Sequence, residues 1–436
     1  MDGSFKIMNM NLLYKNRELL RLLSLVVFFI ALFQACKEDV GIQPIKEGAV
    51  SGQVTNVRSY SVAGGAVIKY DLPKDRDFRY VKAVYVLNNG SRVETKSTQY
   101  KDSLRVEGFS VAGKYDVELY SISVGEVASK PVVVKVDVST PYNRLISASL
   151  KGDSKFNSTY GGVNIYIDNK EKQPLVVVVM KKDAENNWKN IDTAYTSLEA
   201  QTLRVRGISE GLSTFGVFIQ DKWRNNSDTI VKELAPLEEI LIPKDTWQLT
   251  QIAVGAIGGD WDTFNATYGG RSLKYKTLWD NKMTVHGDEA WFASTPIPFS
   301  FSIDLGVPAI LSRIKTWPRL SDLNGAYTTT HVRKFQVWGS NNPDMNDPSF
   351  DKWFLLGTFE SVRPSGLPFG QAATTEDKNY VKQGEEWDFP DVNPTNTRYK
   401  NRYIRIKVLS TWNGIEASDK NPSAIIMSEI TLWGQR

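Results

Sequence analysis

The residues best equipped for catalysis are scarce and scattered. The only two histidines, His286 and His331, stand 45 positions apart, and His331 opens an alternating segment. The single cysteine, Cys36, cannot close an intrachain disulfide, and a lone thiol is a poor start for a metal site. No nucleophile elbow, phosphate loop or zinc-ligand spacing occurs. Two carboxylates at a set separation would suffice for glycoside hydrolysis, but no spacing singles out a pair. Catalysis is therefore not expected. The aromatic content, with 12 Trp and 18 Tyr, suits a protein that handles sugars and suits ordinary sandwich cores equally.

Cys36 has a different use. Lys6, Lys15, Arg17 and Arg21 precede the 12-residue apolar run "LLSLVVFFIALF", and small Ala35 stands directly before the cysteine. A bilayer-spanning helix needs roughly 20 residues, so the run is short for a span and right for an export signal. The expected outcome is cleavage before Cys36 and lipid attachment to its sulfur, which would tie the protein to a membrane. The alternative is an uncleaved N-terminal anchor. Residues 1–35 are then the signal and residues 36–49 a tether. Removing the signal takes away four basic and two acidic residues, so the formal charge goes from +4 to +2. Near-neutrality, with no basic block, argues against a nucleic-acid partner.

The elements that would position any site are strands. Residues 50–141 hold short segments rich in Val and Tyr, among them "YVKAVYVLNN", "KYDVELYSIS" and "KPVVVKVDV", separated by turn residues. This is the grammar of an antiparallel sandwich. No stretch has a convincing helical period, and "STPYNRL" at 139–145 closes this unit. Residues 142–242 repeat the plan: "SLRVEGF" ending at Phe109 matches "TLRVRGI" ending at Ile208, and Tyr115, Val117 and Leu119 correspond to Phe215, Val217 and Ile219. A repeat at about 100 residues indicates duplicated domains. "FNSTYGG" at 156–162 and "FNATYGG" at 264–270 echo one another, and a structural turn explains them best. Residues 243–271 read as a linker and the start of the last domain, which occupies 272–436.

Three resemblances follow. "FQACKED" resembles the lipoprotein signal of Bacteroidetes, in which Lys and two acids after the lipidated cysteine mark display on the cell surface; Phe33 stands where Leu is commoner. Residues 50–240 resemble fibronectin type III modules, with Tyr115 and Tyr120 on the strand of the aromatic corner. They also resemble paired modules of surface lipoproteins encoded beside glycan-import systems. "IDLG", "LSRIKTWPRL", "FQVWGS", "RYIRIKV" and "SEITLWG", in that order, resemble the discoidin, or coagulation factor C-type, galactose-binding-like jelly-roll. The expected fold class is all-β: two tandem immunoglobulin/fibronectin-like sandwiches and a β-jelly-roll.

The jelly-roll resemblance implies a ligand held by loops at one end of the sandwich. Aromatic faces pack on the C–H face of a sugar ring while charged and amide groups fix its hydroxyls. Trp317, Arg319 and Tyr327, after one strand, and Trp412 and Asn413, after another, are the candidates; the competing reading is that either Trp plugs the sandwich end. The same resemblance implies a structural calcium held by Asp280 and Glu429, although "DNKMT" lacks the glycine usual after the Asp, and a basic side chain near Glu429 would be the other solution. The function expected is a non-catalytic surface lipoprotein of the outer membrane that binds a glycan or oligosaccharide, accessory to glycan-import proteins. The rival is a structural or protein–protein interaction subunit of an outer-membrane complex.

Overall fold

The computed structural model describes residues 50–250, 267–268, 271–272, 275–283, 290–320, 322–328, 330–390, 399–413 and 422–436. The signal, Cys36, the tether, His286 and most of "FNATYGG" lie outside the described residues. The chain divides into two compact units, with the division between Pro141 and Tyr142.

The first unit is a seven-stranded sandwich. Its strands are β1 (Thr55–Val62), β2 (Gly65–Asp71), β3 (Phe78–Val86), β4 (Arg92–Thr98), β5 (Ser103–Glu107), β6 (Gly113–Ser123) and β7 (Val132–Val138). One sheet runs β1-β2-β5 and the other β4-β3-β6-β7. Alternation sets the faces: Val81, Ala83 and Tyr85 of β3 and Val117 and Leu119 of β6 point inward to Ile68, Val106 and Phe109. Tyr115 makes the aromatic corner, its hydroxyl donating to Val111 O at 2.8 Å and accepting from Asn88 Nδ2 at 2.9 Å. Tyr120 has no part in it, because it faces the other way and its hydroxyl donates to Glu118.

The second unit opens with a helix that the periodicity does not announce, α1 (Tyr142–Ser149). Only Ile146, with Leu150 just beyond its end, reaches the second core. Its other inward groups are polar: Asn143 Nδ2 donates to Asn225 O at 2.8 Å and Ser147 Oγ to Asp228 O at 2.9 Å. Strands β8 (Phe156–Thr159), β9 (Gly162–Asp168), β10 (Leu175–Lys182), β11 (Trp188–Thr196), β12 (Ala200–Val205), β13 (Ser213–Gln220) and β14 (Ile230–Leu234) follow. Their sheets, β8-β9-β12 and β11-β10-β13-β14, repeat the first unit's order, with β8 replacing β1 and β14 replacing β7. Phe215 is the counterpart of Tyr115 and is fully buried, so the second corner has no hydroxyl. In "FNSTYGG", Gly161 takes a positive φ of 64° where the chain turns from β8 into β9.

The rest of this unit is a jelly-roll built on one long strand. β15 (Ile240–Leu241), a 3-10 turn (Lys244–Thr246) and β16 (Gln248–Thr250) lead in. The remaining elements are β17 (Thr267–Tyr268), β18 (Arg271–Ser272), β19 (Ala290–Pro296), β20 (Phe299–Pro318), β21 (Val332–Ser340), β22 (Phe354–Glu360), α2 (Thr375–Gln383), β23 (Glu385–Asp388), β24 (Lys400–Thr411) and β25 (Pro422–Gln435). Twenty-residue β20 lies in the middle of one nine-stranded sheet, between β25 and β24. Its first half pairs with β24, its second half with β25, and the register breaks in between, where Gly306 has a φ of 76°. Phe299, Phe301, Ile303, Ile404, Ile406, Ile425 and Leu432 fill the core, joined by Ile242 and Trp247 from the lead-in. The jelly-roll core thus takes in residues from 242 onward, and the stretch 243–271, read as a linker and the start of the last domain, supplies Trp247 to it. Arg204 of β12 and Arg206 just past its end both pair with Asp388, and Arg313 is held between Glu239 and Glu386 at 3.0 and 2.9 Å, which fastens the second sandwich to the jelly-roll.

Candidate binding end of the C-terminal domain

At one end of the jelly-roll β20 delivers Trp317, β24 delivers Trp412, and the turn before β21 delivers Tyr327. The three do meet, in a cluster with Leu320, Ala326 and Val381. They meet on the inside. Trp317 and Trp412 are each 8 % exposed and Tyr327 not at all. Tyr327 Oη donates to Val362 O at 3.0 Å, and its ring lies 5.0 Å edge-on from Trp412 and 4.9 Å from His331. Burial pushes that hydroxyl's pKa upward, with the Glu385 carboxylate adding to it. Trp412 Nε1 donates to Ser361 Oγ at 2.9 Å. Stacking on a sugar needs an open ring face, so these three residues are the plug and not the platform. Arg319 and Asn413 stay half-buried, and Asn413 Oδ1 accepts from Thr411 Oγ1.

The cover is the segment 361–384, organised by one buried ion pair. Arg363 Nε donates to Asp377 Oδ2 at 3.0 Å. The guanidinium spends its other donors on carbonyls, reaching Pro368 O at 3.1 Å, Gln371 O at 3.2 Å and Ala372 O at 2.8 Å. Five donors in a rigid fork suit this task. Asp377 also accepts from Ser365 N and Oγ and from Thr374 N at 2.8–3.0 Å. Thr374 Oγ1 in turn caps α2 through Asp377 N at 3.1 Å. Burial alone would raise the Asp377 carboxyl, but these hydrogen bonds and Arg363 outweigh it and hold its pKa at about 2. His331 and Glu385 are both buried, and their polar atoms face neighbours within the fold. His331 Nδ1 accepts from Tyr327 N at 3.0 Å, its Nε2 lies 3.5 Å from Glu385, and the Glu385 carboxylate accepts from Ser361 Oγ and Val362 N.

What this end does present is Phe369, carried outward by the loop that Arg363 gathers. It is 44 % exposed, lies 5.7 Å from Trp412, and has the Arg333 guanidinium 4.9 Å from its ring centre. Arg333 is steered there by Glu360, at 2.9 Å. Half-exposed Tyr380 of α2 adds a second aromatic to the same segment. Sequence reasoning missed Phe369, Arg333, Arg363 and Asp377. The legible signal was Thr374 three residues before Asp377, a helix-start box.

The residues do not fit the expected calcium. Glu429 is buried, but its carboxylate is taken by the Lys244 ammonium at 2.5 Å and by Asn281 N at 2.9 Å. Asp280 turns to its own loop, accepting from Lys282 N at 2.9 Å. Among the described residues no group of three acidic, His or Cys side chains converges on a point. Burial pushes the Glu429 pKa up to about 7 against the pull of Lys244 and Asn281, as desolvation of a deep ion pair commonly does.

Three family models, each described as a domain of unknown function, match the chain in tandem: DUF4959 over residues 51–138, DUF5126 over 140–245 and DUF5000 over 279–434. No curated protein matches. Among solved structures, a SusE-like protein is 26 % identical, covering 64 % of this chain and 95 % of its own, with a TM-score of 0.40. The C-terminal domain of a chitobiase from Bacteroides fragilis is 15 % identical over 45 % of this chain and 98 % of its own, with a TM-score of 0.26. A two-domain fibronectin type III segment of chicken tenascin is 14 % identical over 42 % and 99 %, with a TM-score of 0.19. At such scores these likenesses carry no argument about function. The chain is an all-β protein of two immunoglobulin/fibronectin-like sandwiches and a jelly-roll, similar over most of its described length to three domains of unknown function.

Proposed function

We propose that this chain is a non-catalytic lipoprotein, anchored through Cys36 and facing the cell exterior, whose jelly-roll binds carbohydrate weakly at the loop end. Phe369 is the platform, while Arg333 supplies charged donors for hydroxyls or an acidic sugar. The observation that carries the reading is Phe369: a large ring 44 % exposed on a loop that a buried Arg–Asp pair fixes in place. Preorganisation of that kind lowers the ordering cost of binding. A single shallow site stays weak, since each sugar hydroxyl trades water for protein at small net gain. Display beside glycan-import proteins would raise the effective concentration. A structural or protein–protein interaction subunit is the second reading, favoured by the burial of Trp317, Tyr327 and Trp412. A glycan array of the full chain beside Phe369→Ala separates them. Loss of the hits by roughly tenfold or more supports the site; hits that survive the substitution refute it, and an array without hits favours the second reading.

A further inference from the structure

We infer that Lys244 is the resident cation of the jelly-roll: its tethered ammonium does the bracing that a structural calcium was expected to do. An ammonium has three N–H donors, and the structure gives Lys244 three acceptors. They are Glu429 Oε1 at 2.5 Å, Thr431 Oγ1 at 2.8 Å and Asn281 Oδ1 at 3.0 Å. The side chains of Lys244 and Glu429 are 7 % and 1 % exposed. The second oxygen of Glu429 accepts from Asn281 N at 2.9 Å, presented by an Asn in the left-handed region at a φ of 63°. Charge and donors are thus balanced without a metal.

Calcium would have to displace this arrangement, not complete it. It takes six to eight oxygens at roughly 2.3–2.6 Å, and here the best-placed oxygens already point at a positive nitrogen. Entry of a divalent ion would put like charges side by side in a buried place, where screening is weak. The Asp280 carboxylate, which could lower that cost, is engaged by Lys282 N and lies 3.9 Å from Lys282 Nζ.

The bracing job is nonetheless done. Lys244 joins three segments distant in sequence: the lead-in, the 280 loop 37 residues on, and β25 about 185 residues on. Its own turn is fixed at both ends, by Ile242 N donating to Leu432 O at 2.9 Å and by Thr246 Oγ1 donating to Leu305 O at 2.6 Å. Trp247 and Trp279 pack at 5.8 Å between the same two segments. A domain cut at residue 272 would leave its cation behind.

The test uses the full chain, melted with calcium chloride and with chelator and followed by tryptophan fluorescence. The wild type should melt at one temperature in both. Lys244→Met keeps the aliphatic stem and strands the carboxylate, so its Tm should fall by roughly 10 °C. The double variant Lys244→Met with Glu429→Leu should recover most of that fall. A wild-type Tm that rises with calcium, and no longer does so in Glu429→Gln, overturns the inference; so does a Lys244→Met Tm equal to the wild type's. Should Lys244→Met fail to fold, calorimetric titration of the wild type with calcium decides alone: no saturable heat upholds the inference, and saturable binding abolished by Glu429→Gln overturns it.

Discussion

Replacing Asp377 with Asn should destabilise the second unit at neutral pH and hardly at all in strong acid. The substitution keeps the shape and removes the charge, leaving Arg363, itself 5 % exposed, without its counter-ion. Two routes give the size. The folded carboxyl sits at about 2 against an ordinary 3.8, which at 1.36 kcal/mol per pKa unit corresponds to about 2 kcal/mol. Breaking a buried pair by removing one partner costs about 3–5 kcal/mol. A loss of about 2–4 kcal/mol, or roughly 5–15 °C in Tm, is therefore expected. The sign follows from the depressed pKa: the stabilisation is complete above the unfolded value near 4 and disappears as pH falls through about 2. Because the pair is buried, salt should change the gap little. All 12 tryptophans lie at or beyond residue 188, so tryptophan fluorescence reports the second unit alone. Equal stability of variant and wild type at pH 7 would refute the reasoning. A gap that persists undiminished at about pH 2 would also do so.

Two further substitutions test the packing. Tyr115→Phe should cost about 1–2 kcal/mol by removing both corner hydrogen bonds, read by circular dichroism since the first unit has no tryptophan; the reverse change, Phe215→Tyr, buries an unpartnered hydroxyl and should also destabilise. Gly384→Ala should lower the second unit's Tm and alter the near-ultraviolet tryptophan signal. That glycine has a φ of 78°, and a Cβ there would stand 2.6 Å from Trp317 Nε1.

Strand alternation made the sandwiches legible. The cross-match of "SLRVEGF" with "TLRVRGI" located β5 and β12, the same position in two sheets of the same order. Helix α1 escaped because it is short and its grip is mostly polar: Asn143 and Ser147 hold backbone carbonyls, and Ile146 with Leu150 is too brief an apolar spacing to announce a helix. At the loop end of the jelly-roll Trp317 and Trp412 do stand at strand ends and meet, but a strand end does not say whether something lies over it. The cover depends on Arg363 meeting carbonyls, and every residue has a carbonyl. Lys244 was hidden for another reason: its partner Glu429 is 185 residues away, and only tertiary pairing joins them.

The way Arg363 holds its loop separates the path of the chain from its chemistry. Contacts to the oxygens of residues 368, 371 and 372 name no side chain, so what those positions display can change while the backbone course stays put. Only Gly366 and Gly370, with φ of 65° and 79°, are constrained by conformation. The segment from 367 to 372 is thus a cassette on a fixed frame. A library randomised at its non-glycine positions could be selected for new ligands without renegotiating the fold.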